Sequence, residues 1–247
     1  MDAGGELESG PGHLNPETIQ VLKSISSLRS VQAPMSMDVG TLPHAALSFA
    51  NSGEDMALRK LLKHRIARRQ GGMYLDIGCS APCCSSNSYL FYCLGWRGVC
   101  VDPNPEAAPH WKESRPEDVF ISAAVGKREG STRLFFHKTN LGMHVIGDAP
   151  PSDDYAGETV VPVRRLDSIL AEHAKGRDIQ FLSLDVEGAE LGVLKSNAWD
   201  TWRPEYILIE AKDFDMLAPR KSETINFLLD LGYTLDSKVS ENIILRR

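Results

Sequence analysis

Tyr-Leu-Asp-Ile-Gly-Cys-Ser-Ala-Pro, residues 74–82, is a short apolar run that ends in an acid, a glycine and a loop. Such a run, bounded by turn residues, is typical of a strand buried on both faces. Ligands bind beyond the carboxyl ends of parallel strands, where this loop would lie. Gly78 would let a bulky ligand approach the backbone, and Asp76 could fix the loop or accept a hydrogen bond from an ammonium group. We therefore predict a cofactor loop that includes Cys79 and Ser80; an ordinary strand turn is the alternative.

Strand and helix patterns alternate along the chain that follows this loop. Strands are predicted over 98–101, 119–124, 180–184 and 206–210, and helices over 87–94, 166–173, 187–196 and 221–231. This alternation predicts an α/β domain with a Rossmann-like, mostly parallel sheet and helices on both faces. Residues 233–235 and 242–245 could add an antiparallel pair at the sheet edge.

The part of the chain before this domain has a different pattern. Residues 1–15 are expected to be a disordered tail, and residues 16–70 an N-terminal helical extension of the catalytic domain at 71–247. Within the extension, helices are predicted over 16–29 and from Ser52 to Gln70. We expect Ser52 to cap the second helix, with Asp55 completing a weak capping box.

A long insertion interrupts the α/β pattern after the third strand. Residues 132–137 and 158–163 are predicted to be extended, and residues 138–157 to form one polar loop. A loop of this length inside a compact domain is usually functional or mobile. We expect it to be mobile until the acceptor binds and to contribute to acceptor choice, so that replacing it with a short linker would spare cofactor binding and abolish turnover. His144 in this loop is a candidate general base; a surface histidine is the alternative.

The composition excludes several classes of protein. A net charge of −6 and a pI of about 5.7 argue against a nucleic-acid partner. No apolar stretch approaches the roughly 18 residues of a membrane span, and the acidic start is unlike a signal peptide. The five cysteines lie within one short segment without the paired spacing of a zinc site. These features predict a cytoplasmic protein with reduced thiols; they do not predict its oligomeric state.

Asp102 ends the second strand and indicates the type of cofactor. A carboxylate at this position can accept hydrogen bonds from both hydroxyls of a ribose. A dinucleotide would also need a glycine-rich turn for its pyrophosphate, and the 74–82 loop has only one glycine. S-adenosylmethionine has no phosphate, so it is the favoured ligand. Asn87, near the start of the next helix, would face the methionine carboxylate or simply cap the helix.

Two acids end the fourth and fifth strands. Asp185 and Glu210 should open onto one crevice, where they could hold Mg²⁺ or act as a base and a positioning group. Mg²⁺ is possible but not favoured, because no second acid adjoins Glu210. Glu187 is a further catalytic candidate, although an acid in the first turn of a helix also complements the helix dipole.

Six segments resemble the FkbM-type methyltransferases in order and spacing. They are YLDIGCSAP (74–82), SNSYLFYCLGWRGVCVDPNP (86–105), ISAAVGKREG (121–130), LDSIL (166–170), FLSLDVEGAELGVLKS (181–196) and RPEYILIEA (203–211). SFANSGEDMAL (48–58) also looks like the segment that precedes the core in that family. The cysteine cluster of Cys79, Cys83 and Cys84 is not a feature of the resemblance.

The resemblance implies a class I methyltransferase fold, S-adenosylmethionine as the donor and methyl transfer to oxygen. The acceptors would be hydroxyls of sugars, glycolipids or secondary metabolites. By the match, Asp76 and Gly78 belong to the cofactor loop, Asp102, Pro103 and Asn104 to the ribose and adenine side, Ala123 and Ala124 to the adenine-flanking strand end, and Asp185 and Glu187 to the transfer site.

The sequence thus predicts an O-methyltransferase that acts on a small-molecule or glycan acceptor. Two alternatives remain, a catalytically silent Rossmann-like binding module and a nicotinamide enzyme. The acids and glycine at positions 76, 78, 102 and 185 argue against the first, and the missing glycine pattern argues against the second.

Overall fold

The structure is a computed structural model that describes residues 46–139 and 144–247. The tail at 1–15 and the helix predicted over 16–29 lie outside the described residues. Residues 48–247 form one compact unit. No helix in the described part of the chain is both long and apolar enough to cross a membrane.

Helices and strands alternate through this unit. The helices are α1 (Glu54–Leu61), α2 (Lys63–Ala67), α3 (Tyr89–Cys93), α4 (Ala108–Ser114), α5 (Leu166–His173), α6 (Glu190–Leu194) and α7 (Glu223–Asp230). The strands are β1 (Met73–Ile77), β2 (Arg97–Asp102), β3 (Val119–Ser122), β4 (Ala124–Val125), β5 (Gly130–His137), β6 (His144–Gly147), β7 (Tyr155–Arg164), β8 (Phe181–Leu184), β9 (Tyr206–Glu210), β10 (Thr234–Val239) and β11 (Asn242–Arg246).

Seven strands form the main sheet in the order β10-β11-β9-β8-β1-β2-β3. The five strands from β9 to β3 run parallel, and β11 pairs antiparallel with both β9 and β10. The predicted parallel sheet with an antiparallel edge pair is therefore confirmed. β8 and β1 lie at its centre, so the segments after them share one end of the sheet.

Alternate residues of the central strands enter two separate cores. From β1, Leu75 and Ile77 pack with residues of α5, α6 and α7, whereas Tyr74 packs with residues of α1, α3 and α4. This alternation is the two-residue period of a pleated strand. It places helices on both faces of the sheet, as the fold prediction requires.

The start of α1 corrects the capping prediction. Gly53, with φ of +89°, occupies the position before the helix, and glycine has no side chain that could cap it. Asp55 instead accepts hydrogen bonds from the Ser48 hydroxyl at 2.6 Å and from the Phe49 amide at 2.7 Å. The helix is also interrupted at Leu62. The prediction of one helix from Ser52 to Gln70 with Ser52 as its cap is therefore wrong in its cap and in its continuity. Leu62 is buried beneath the main sheet.

The insertion forms a second sheet rather than one long loop. Its four strands follow the order β4-β7-β5-β6. β6 lies inside the predicted loop and pairs antiparallel with β5, and β7 begins at Tyr155. The strand predicted over 119–124 is divided, because β3 belongs to the main sheet and β4 to the second one.

The helix predicted over 187–196 begins only at Glu190. Glu187 and Gly188 have φ values of +54° and +98°, which no right-handed helix accommodates. The helix predicted over 166–173 and the strand predicted over 206–210 have the predicted bounds.

Candidate active site

A cavity of about 540 Å³ opens at the carboxyl ends of β1, β2 and β8. This volume lies within the range of roughly 300–1,000 Å³ that is typical of small-molecule sites. Its walls come from the cofactor loop, from the residues after β2, from β4, from β6 and from the loop after β8. Of the predicted site residues, Gly78, Ser80, Asp102, Pro103, Ala123, Ala124, His144, Asp185 and Glu187 line it.

Gly78 is required by the protein backbone itself. Its φ is +82°, and a Cβ atom at this position would lie 1.6 Å from the Asp185 carbonyl oxygen. From its sequence context, this glycine was expected to let a ligand approach the backbone. The structure shows a stronger reason for a glycine here: the loops after β1 and β8 are in direct contact at this position.

Asp102 is buried and holds the cofactor loop against the end of β2. Its carboxylate accepts hydrogen bonds from the Ser80 amide and the Asn104 amide, both at 2.9 Å. Burial raises its pKa above the ordinary value. Each carboxylate oxygen retains acceptor capacity for a hydroxyl in the cavity. The geometry is compatible with the ribose contact expected of Asp102.

His144 extends this chain of contacts to the second sheet. Its Nε2 lies 3.2 Å from Asn104 Nδ2, and Asn104 Oδ1 accepts a hydrogen bond from the Glu106 amide at 3.0 Å. The latter bond fixes the orientation of the Asn104 amide, so Nδ2 donates to the imidazole. In this arrangement Nε2 of His144 acts as the acceptor. His144 is thus oriented by a residue next to Asp102.

The remaining predicted loop residues lie deeper than the large cavity. Asp76 is buried and accepts a hydrogen bond from the Ser88 hydroxyl. Asn87 Nδ2 donates to the Ser183 hydroxyl at 3.1 Å, which joins the start of α3 to β8. Cys79 is buried among core side chains and, like the other four cysteines, is a free thiol.

A buried arginine supports the cofactor loop from behind. Arg115 is fully buried together with its ion-pair partner Asp118. Its guanidinium donates hydrogen bonds to the Pro82 carbonyl at 3.0 Å and the Ser88 hydroxyl at 3.0 Å. Ser88 in turn bonds Asp76. This network fixes the loop shape, and no motif in the sequence indicates it.

Asp185 is the acid at the junction of the β1 and β8 loops. Its Oδ1 is buried and has no hydrogen-bond partner among the described residues. Burial, reinforced by the charges of Glu210 and Glu187, raises the pKa of Asp185 to about 7. Lys212 neutralises the neighbouring acids, with Nζ at 3.1 Å from both Glu187 and Glu210.

Asp185 and Glu210, the two metal ligands considered from the sequence, lie close to a third acid, Glu190. One oxygen from each of Asp185, Glu190 and Glu210 lies within 4.8 Å of the others. However, Glu190 Oε1 already accepts hydrogen bonds from the Val186 amide at 3.2 Å and the Gly188 amide at 3.0 Å. Glu210 is paired with Lys212. Two of the three carboxylates, those of Glu190 and Glu210, therefore already have protein partners, and Lys212 places a positive charge beside the group.

The comparisons with solved structures give distant likenesses. An N1-methyltransferase of 1,6-didemethyltoxoflavin from Burkholderia thailandensis, solved with S-adenosylhomocysteine, is 15% identical; the match covers 97% of this chain and 92% of that chain, with a TM-score of 0.41. A TehB-like methyltransferase from Corynebacterium glutamicum is 10% identical, with coverages of 94% and 100% and a TM-score of 0.40. A precorrin-6y C5,15-methyltransferase from Geobacter metallireducens is 13% identical, with coverages of 76% and 89% and a TM-score of 0.38. No curated protein matches the sequence.

The model of the methyltransferase FkbM domain matches residues 74–235, more than half of the chain. This range begins in β1 and includes the cofactor loop, the end of β2, the second sheet and the acids after β8 and β9. The chain belongs to the FkbM family of S-adenosylmethionine-dependent methyltransferases.

Proposed function

We propose that the protein transfers a methyl group from S-adenosylmethionine to a hydroxyl oxygen of a sugar, glycolipid or other small molecule. The observation that carries this proposal is the carboxyl group of Asp185. It lines the large cavity, and its buried Oδ1 has no hydrogen-bond partner in the described chain.

A hydroxyl acceptor needs a group that removes its proton, because a neutral alcohol is a weak nucleophile. S-adenosylmethionine, when bound, supplies an activated methyl group on a sulfonium. Asp185 Oδ1 would accept the proton of the hydroxyl. Its pKa of about 7 suits a base that works near neutral pH. In this proposal Asp102 and Ser80 orient the adenosine side and Asp185 acts at the transfer side.

Glu187, Glu210 and Lys212 would act on Asp185 through charge. The two glutamates raise its pKa, and Lys212 lowers it. Lys212 bonds both glutamates, so it limits the repulsion that three neighbouring acids would otherwise create. We assign these three residues a positioning role.

The test is methyl transfer to defined acceptors. The full chain is incubated with S-adenosylmethionine carrying an isotopically labelled methyl group and with matched acceptors that differ only in a hydroxyl, amine or thiol. Mass spectrometry should find one added methyl group on the hydroxyl compound. Transfer only to the amine or thiol compounds would contradict O-methylation while leaving the cofactor unchanged.

A further inference from the structure

The stretch of the cofactor loop at 80–85 contains two residues with unfavourable backbone conformations. Ser80 and Ser85 have φ values of +45° and +53°. Both residues line the large cavity. Residues other than glycine are disfavoured in this left-handed region, and such a conformation persists only where the surrounding structure holds it. The 80–85 stretch therefore needs contacts from outside the loop that maintain its shape.

Two residues at the end of α4 hold backbone carbonyls of this stretch. Trp111 Nε1 donates a hydrogen bond to the Ser80 carbonyl at 2.9 Å, and Arg115 donates one to the Pro82 carbonyl at 3.0 Å. The Arg115 amide bonds the Trp111 carbonyl at 2.8 Å, so the two residues lie one helical turn apart. The guanidinium carbon of Arg115 is 4.4 Å from the centre of the Trp111 ring. The two donors thus form one packed pair.

The strained backbone of Ser80 is held on both sides. Its amide donates to the Asp102 carboxylate at 2.9 Å, and its carbonyl accepts from Trp111. Asp102 ends β2, and α4 is the next α-helix along the chain. One continuous segment of the chain therefore fixes Ser80 and also carries the carboxylate expected at the ribose.

The pair of Trp111 and Arg115 can act on a ligand only through the loop. Neither residue lines the large cavity, and both are buried. The positive charge of Arg115 faces the carboxylate of Asp118, and both side chains are fully buried. The guanidinium is therefore compensated within the protein. Its remaining hydrogen bonds serve the loop and its neighbours.

We propose that Trp111 and Arg115 are positioning residues of the cofactor site, which hold the 80–85 stretch in its binding-competent shape before the cofactor arrives. This inference rests on S-adenosylmethionine binding in the large cavity. A loop that adopts the competent shape for only a fraction of the time binds with an affinity reduced by that fraction. Loss of the Trp111 hydrogen bond should release Ser80 toward ordinary φ values and so weaken the cofactor.

The first variant is Trp111→Phe, which removes the indole N–H and retains an aromatic ring. Calorimetry on the full chain should show S-adenosylhomocysteine bound about tenfold more weakly. Trp199→Phe is the matched control, because Trp199 Nε1 also donates to a backbone carbonyl, that of Leu194 at 2.8 Å. Trp199 packs against the other core and does not line the large cavity. Its variant should bind within about twofold of the wild type. Circular dichroism shows whether each variant retains the fold.

A second variant distinguishes positioning from general damage. Glycine adopts a positive φ without strain, so Ser80→Gly should restore part of the competent population once the Trp111 hydrogen bond is lost. The effect of Ser80→Gly on the affinity for S-adenosylhomocysteine should be about threefold or more in favour of binding when Trp111→Phe is compared with the wild type. A merely structural Trp111 would give the same effect of Ser80→Gly in both chains.

Hydrogen exchange of the wild-type chain requires no variant. The Ser80 amide should be protected before S-adenosylhomocysteine is added, because it is already bonded to Asp102. Three results would overturn the inference: Trp111→Phe that loses no more affinity than Trp199→Phe, an equal effect of Ser80→Gly in both chains, or rapid exchange of the Ser80 amide without ligand. No acceptor is present, so these outcomes are independent of O-methylation. A wild-type chain that protects Ser80 but fails to bind S-adenosylhomocysteine would instead contradict the cofactor assignment.

Discussion

The carboxyl of Asp185 sets the first prediction at the scale of single residues. Asp185→Asn retains the shape and removes the base, so it should lower turnover with the true acceptor by about 100-fold or more. For the wild type, kcat/KM should rise with pH through about 7, where Asp185 loses its proton. Steady-state rates across the pH range check both statements. Near-normal turnover in the variant would show that Asp185 is structural.

The same group predicts a stability effect of definite sign. The pKa of Asp185 is raised from 3.8 to about 7 by folding. Between these values the folded state binds the proton more strongly, so the free energy of unfolding contributed by this group falls as the pH rises through this window. Asp185→Asn should therefore be more stable than the wild type at pH 8 and equal to it near pH 3. Urea unfolding at the two pH values measures the difference.

Gly78 gives a prediction with an internal control. Gly78→Ala places a Cβ 1.6 Å from the Asp185 carbonyl oxygen, so it should cost about 3 kcal/mol or more of stability. Gly188 also has a positive φ, of +98°, but a Cβ there meets nothing within 4 Å. Gly188→Ala should cost only the backbone strain, about 1–2 kcal/mol. Equal losses in urea unfolding would contradict the close approach of the two loops.

Residues at strand ends could be predicted from the sequence, whereas residues brought in from a distance could not. The positions after β1, β2 and β8 line the large cavity because parallel strands share one carboxyl edge. Glu54 bonds Asn242, which is 188 positions away. No local pattern connects two such residues. Arg115 was missed for the same reason, since a buried arginine has the same local sequence signature as an exposed one.

At the scale of elements, the second sheet changes what the insertion is expected to do. His144 and Ile146 of β6 line the large cavity. His144→Ala combined with Ile146→Ala should therefore weaken S-adenosylhomocysteine by about tenfold. Val145→Ala is the control, because Val145 lies between them on the other side of β6 and does not line the cavity. Calorimetry distinguishes this outcome from the sequence-based expectation that changes here spare the cofactor.

The acids near the ends of β8 and β9 allow a prediction about metal dependence. Asp185, Glu190 and Glu210 are close enough for an ion, but Glu190 bonds two backbone amides and Glu210 pairs with Lys212. We expect turnover to be unchanged by a chelator and by added Mg²⁺. Loss of activity with the chelator and recovery with Mg²⁺ would instead make the three acids a metal site.

The order and type of the main elements could be predicted because each buried strand is a short apolar run between turn residues. The second sheet could be predicted only in part, as the extended segments at 132–137 and 158–163. β6 could not be distinguished from a loop because it has only four residues and is followed by a segment with Asp148 and Pro150, and the start of β7 is polar. Their stability comes from pairing with β5, which is a tertiary effect. The predicted start of a helix was wrong where positive φ values prevent helical backbone, as at Glu187 and Gly188 before α6.

At the scale of the whole molecule, the segment at 48–70 is expected to be indispensable. Leu58 and Leu62 are buried against the main sheet, and the Phe49 carbonyl accepts a hydrogen bond from the Ser86 amide at 2.9 Å. A fragment of residues 48–247 should bind S-adenosylhomocysteine as tightly as the full chain. A fragment of residues 71–247 should lose stability and affinity together. Equal affinity in both fragments, measured by calorimetry, would make 48–70 a dispensable extension.

The position of β11 has a consequence for how the enzyme is made. β11 is inserted between β9 and β10, and its first residue, Asn242, holds Glu54 from the far end of the compact unit. A nascent chain on the ribosome can form β1, β2 and β8 before this strand has emerged from the exit tunnel. Until then β9 is an open edge and the Glu54 carboxylate lacks its amide partner, so a chaperone has an unpaired strand to protect. The compact unit should therefore be completed only late in synthesis, after residue 242 is free.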